Sequence, residues 1–106
     1  VNDEQEDERW TPEEWEEIKA HRSRYAEIKR RERLGGAVEN VMSVYQYLHH
    51  LADEGSDEAR KYDRLFNFYM DVEKSLWKMT REEQDEILEE YPRLVAALKE
   101  EHGIEW

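Results

Sequence analysis

Three features of the 106-residue sequence predict an all-α fold. Apolar residues recur three and four apart over long stretches, helix-start patterns stand at Thr11, Ser56 and Thr80, and no stretch alternates with the period of two that a half-buried strand requires. The expected architecture is a small bundle of four helices, at roughly 12–34, 37–53, 57–79 and 81–102, the last one broken near Pro92. A chain of this length suits one core, so residues 10–106 are expected to form a single helical domain. With 42% charged and 38% hydrophobic residues, the apolar side chains must lie in narrow stripes on amphipathic helices.

The leader, residues 1–9, holds no large apolar group after Val1 and many like charges, and is expected to stay mobile. Thr11-Pro12-Glu13-Glu14 then opens the first helix: Thr11 caps, Pro12 suits the first helical position, and Glu14 closes a capping box. Its apolar stripe, Trp15, Ile18, Tyr25 and Ile28, is thin and interrupted by Arg22, and Gly35-Gly36 is read as its stop. The second helix carries Val38, Val41, Met42, Tyr45, Leu48, Leu51 and Ala52 and is expected to be mostly buried. Gly55 breaks it, and Ser56 followed by Asp57 and Glu58 starts a third helix. There Tyr62, Leu65, Phe66, Tyr69, Val72, Leu76 and Met79 share a face that Phe68, Met70 and Trp77 widen. Thr80-Arg81-Glu82-Glu83 is a second capping box, opening a helix with Ile87, Leu88 and Tyr91. Pro92 removes a backbone donor and predicts a break, after which Leu94, Val95 and Leu98 continue to a stop at Gly103. Ile104 is expected to fold back on the last turn.

Composition excludes several chemistries. Without cysteine there is no disulfide framework, thiolate metal site or cysteine nucleophile. No run of about eighteen apolar residues is present and the amino terminus lacks the pattern of a secretion signal, so a soluble, cytoplasmic protein without a membrane partner is expected. The net charge of -12 repels phosphate backbones and attracts basic partners. That charge is unevenly distributed. Residues 1–17 hold nine carboxylates against Arg9, whereas 19–33 hold Lys19, Arg22, Arg24, Lys29, Arg30, Arg31 and Arg33 against Glu27 and Glu32. Acids early and bases late in one helix also match its dipole.

Candidate metal ligands are sparse. His21, His49 and His50 have a carboxylate four residues away in Glu17, Asp53 and Glu54, but no glutamate stands three residues before any histidine, as a di-iron bundle would need. Ordinary surface histidines are expected, His102 included, with no metal and no cofactor. Glu13-Glu14-x-x-Glu17 with Glu54-x-x-Asp57 resembles the acidic metal cluster of the all-helical nucleotide pyrophosphohydrolases of the MazG type. That resemblance implies a magnesium-dependent nucleotide hydrolase using Glu14 and Glu17. The second element, however, crosses Gly55-Ser56, where that family has a continuous helix. Ser23, Ser43, Ser56 and Ser75 lack a nucleophile elbow, and Gly35-Gly36 lacks the rest of a phosphate loop.

Three sets of residues remain as binding candidates. Glu82, Glu83, Asp85, Glu86, Glu89 and Glu90 form a dense anionic strip of the kind that can fill a protein groove built for phosphates. Arg22, Arg24, Lys29, Arg30, Arg31 and Arg33 are the residues that could meet nucleic acid or a second copy of the chain. Trp10, Trp15 and Trp106, near the two ends of the sequence, have the composition of interface anchors. The expected function is a non-catalytic interaction module: a small acidic helical regulator or inhibitor, in its sharpest form encoded by a phage or mobile element, that binds the basic, nucleic-acid-binding surface of a larger protein. A nucleic-acid accessory protein using 22–33 and the metal-dependent hydrolase are the alternatives, direct nucleic-acid binding being the weaker expectation. The narrow stripe of the first helix also points to a homodimer.

Overall fold

The computed structural model describes residues 10–106, so the leader expected at 1–9 lies outside the described residues. It contains three α-helices, α1 (Pro12–Leu51), α2 (Asp57–Ser75) and α3 (Arg81–His102), with a 3-10 turn at Leu76–Lys78 and no strand among the described residues. The all-α class holds, whereas the expected four helices are three. By compactness the chain divides into a first unit ending at Arg31 and a second unit, Glu32–Trp106.

Two expected interruptions are absent. Gly35 and Gly36 continue α1, and positive φ occurs only at Gly55 and Gly103 among the described residues. A mid-helix glycine costs roughly 0.5–1 kcal/mol relative to alanine. Leu34, Ala37 and Val38, directly beside the pair, are buried. Burying a leucine or valine stabilises by about 1.5–3 kcal/mol, so the continuous helix wins over the local preference. Pro92 lies inside α3 without ending it. Its ring is exposed, while Ile87, Leu88 and Tyr91 before it and Leu94, Val95 and Leu98 after it all pack into the core. Both halves are thus held in one register despite the missing hydrogen bond.

A third difference concerns α2, which ends at Ser75 rather than near Met79. The Ser75 hydroxyl donates to the Asp71 carbonyl at 2.9 Å, and the chain tightens into the 3-10 turn. This places Leu76 in full burial, and its carbonyl accepts from the Gln84 side-chain amide of α3 at 2.8 Å. Phe68 and Trp77, expected to widen the apolar face of this helix, are instead more than half exposed, and Leu51 at the end of α1 is 62% exposed.

The caps follow expectation. Ser56 accepts from the Ala59 N–H at 3.1 Å, and Thr80 and Glu83 form the full reciprocal capping box. Gly103 is left-handed: its N–H donates to the Glu100 carbonyl and the Ile104 N–H to the Lys99 carbonyl at 2.8 Å, a Schellman stop that returns Ile104 to the core.

The core belongs to the second unit. One cluster joins Leu34, Ala37, Val38, Leu76 and Ile87; the other joins Val41, Val44, Tyr45, Leu48 and Leu98, and Tyr69 and Tyr91 pack against both. Burial holds the Tyr45, Tyr69, Tyr91 and Tyr62 hydroxyls above the usual tyrosine range, so these phenols stay neutral within a cluster of rings 5.4–6.2 Å apart, Tyr45 stacked on Tyr62 and Tyr69, and Tyr91 edge-on to Tyr69.

Candidate functional site

The carboxylates of α3 face solvent because the opposite side of the helix is occupied by the core. Ile87, Tyr91, Leu94 and Leu98, three and four apart, point inward. Glu82, Glu86 and Glu89, also four and three apart, therefore line the outer side, with Asp85 and Glu90 flanking them, all exposed. Successive members of that row stand about 6 and about 4.5 Å apart along the axis.

The six carboxylates of the strip are not equivalent. Glu83 is engaged by the helix start: it accepts from the Thr80 N–H at 3.1 Å and from the Thr80 hydroxyl at 3.0 Å. These two bonds, the backbone one foremost, hold its carboxyl below the usual range. Glu89 pairs with Arg93 at 3.3 Å, both ends well exposed. Glu86 and Glu90, together with Glu83, rim an open groove floored by Val72, Met79, Ile87 and Tyr91. A partner's cationic side chain could thus meet carboxylates at the rim and apolar surface beneath, the arrangement that suits an arginine or lysine stem.

The basic residues do not share one face. Arg24 and Arg31, seven apart, lie on one side of α1; Arg22, Lys29 and Arg33 lie on another. Arg30 is only 8% exposed. Arg22 and Lys19 lie over the Trp15 ring, at 5.1 and 5.8 Å, and Lys29 over Tyr25 at 5.5 Å.

Of the three tryptophans, Trp15 is half-buried, and its indole N–H has no hydrogen-bond partner among the described residues. Trp10 borders an open groove with Glu14, Glu17, Ile18 and His21. Trp106 is exposed, edge-on to Tyr47 at 5.6 Å, with Lys99 over its ring and the Lys99 ammonium donating to the Trp106 carbonyl. Tyr47, Leu51, Phe68 and Trp77 add exposed apolar surface, although periodicity places Leu51, Phe68 and Trp77 on apolar faces. Their signal was weak, because each lies at the margin of a stripe whose centre is fully packed.

Two of the acidic residues considered for metal chemistry, Glu14 and Asp57, have structural partners. Thr11 and Glu14 exchange capping hydrogen bonds of 3.2 and 3.1 Å, and Asp57 pairs with Arg60 at 2.5 Å. His21, His49, His50 and His102 are all exposed, and His102 lies edge-on to Tyr62. Among the described residues no three histidine or carboxylate side chains are grouped to hold a metal ion, and no helix is long and apolar enough to cross a membrane. No family model, curated protein or solved structure matches the chain.

Proposed function

We propose that the chain is a non-catalytic interaction protein whose α3 carboxylates occupy a basic surface on a larger protein partner. The observation that carries this reading is the exposed row of Glu82, Glu86 and Glu89, flanked by Glu90, on a helix whose opposite side is anchored in the core. A rigid backbone fixes the spacing of these charges, so little ordering cost falls on binding. Rows of carboxylates at this spacing suit a groove that otherwise takes nucleic-acid phosphates, and the net charge of -12 steers such a partner inward. In this reading the protein is a cytoplasmic inhibitor of the kind that phages and mobile elements encode.

The test is affinity capture from a native lysate at low and high salt, with each captured species identified and then challenged with duplex DNA. A basic protein released by rising salt, displaced by DNA, and bound at least about tenfold more weakly by the Glu82→Gln, Glu86→Gln, Glu90→Gln triple variant supports the reading. A partner held equally well by the triple variant removes it. Recovery of nucleic acid itself, lost in Arg24→Ala, Arg31→Ala, would favour the accessory-protein alternative. Magnesium-dependent nucleotide turnover lost with Glu17→Gln would favour the hydrolase.

A further inference from the structure

We propose that residues 12–31 of α1 pair antiparallel with the same residues of a second copy of this chain. Trp15, Ile18, Tyr25 and Ile28 form a stripe at helical spacing, and no hydrophobic residue is buried before Leu34 among the described residues. Tyr25 and Ile28 are 56% and 54% exposed. Most helical stability in proteins comes from tertiary packing of an amphipathic face, so a stretch with this much open apolar surface gains most from a helical partner.

The order of charges selects the partner and its direction. Glu13, Glu14, Glu16 and Glu17 precede Lys19, Arg22, Arg24, Lys29 and Arg31 within the one stretch. A parallel pair would set acids on acids and bases on bases. An antiparallel pair sets each acidic half against a basic half, so the stretch is complementary to itself under a two-fold axis. In the register that brings Trp15 against Ile28 and Ile18 against Tyr25, the axis passes between His21 and Arg22. Glu17 then lies close to Arg24 of the second copy along the Ile28 edge of the stripe, and the symmetry repeats the pair. Arg22 and Lys29 fall within the stripe itself, over the rings of Trp15 and Tyr25, and Lys29 faces Glu14 of the second copy in this register. The net charge of the two chains opposes association, but a Debye length of about 8 Å at physiological salt confines that opposition while adjacent pairs persist.

Sedimentation equilibrium of the full chain should show a monomer–dimer equilibrium at submillimolar concentration. Ile18→Glu should raise the dissociation constant by more than about tenfold. Glu17→Lys and Arg24→Glu should each weaken pairing several-fold, and the double variant should recover it, because the exchanged charges meet again across the axis. Glu17 and Arg24 are exposed and Ile18 is half-buried, and unchanged helical circular dichroism confirms an intact fold. Direction is read by disulfide formation. Glu17→Cys mixed with Arg24→Cys should crosslink faster than either alone, since like positions at Glu17 stand about 13 Å apart along the axis in this register. A chain that remains monomeric, a dimer unaffected by Ile18→Glu, a charge swap without recovery, or faster Glu17→Cys self-crosslinking would each overturn the proposal. None of these substitutions touches α3, so its failure leaves the acidic-face reading standing.

Discussion

Leu76 is shielded from solvent on every side, whereas Leu51, the last residue of α1, keeps 62% of its surface exposed. Truncating the first removes packed methyl groups and leaves a void, and truncating the second removes little. Leu76→Ala should therefore lower stability by about 2–5 kcal/mol. Leu51→Ala should stay within about 0.5 kcal/mol of the parent. Urea unfolding of both variants checks the pair, and similar losses at the two sites would contradict the burial pattern. Glu83 offers a finer test, because two hydrogen bonds from Thr80 hold its carboxyl below the usual range. A carboxyl depressed in the folded state contributes stability above its unfolded pKa and loses that contribution as pH falls through the depressed value. The NMR titration midpoint of Glu83 should therefore rise toward the ordinary value in Thr80→Ala, whose side chain can no longer hold the cap. An unmoved midpoint would mean that the Thr80 hydroxyl does not contribute and that the backbone N–H alone holds it down.

At the scale of elements, what the sequence made legible were the local signals and what it hid were their tertiary overrides. Thr11, Ser56, Thr80 and Gly103 act as read, since a cap is made by residues three or four positions apart. Gly35-Gly36 and Pro92 each disfavour helix locally, yet α1 and α3 run through them because residues on both sides are buried together. No window of sequence contains that information. These sites then carry a local cost that substitution can relieve. A Cβ at Gly35 or Gly36 meets nothing within 4 Å, so Gly35→Ala and Gly36→Ala should each stabilise by about 0.5–1 kcal/mol. Pro92→Ala regains an N–H donor at an exposed position and should stabilise by about 1–3 kcal/mol. A higher urea midpoint in all three variants is the expected result; a lower one would indicate that the glycine pair or proline is needed by the fold. The acidic strip was likewise legible as a run of charge. The commitment of Glu83 to a cap and Glu89 to Arg93 depended on geometry.

For the molecule as a whole, all buried hydrophobic side chains among the described residues belong to the unit that starts at Glu32. Local opening is governed by such burial, so backbone amides should exchange with solvent at very different rates along α1. At dilute chain concentration, amides of residues 15–29 should exchange orders of magnitude faster than those of residues 38–48. Uniform protection along the helix would show that the first unit is as firmly held as the second. The tryptophans are divided in the same way, Trp10 and Trp15 in one unit and Trp77 and Trp106 in the other. Their indole emission consequently provides two intrinsic optical channels. Replacing either couple by phenylalanine leaves a light signal from one unit alone, and the loosening of each can be timed without attaching a dye.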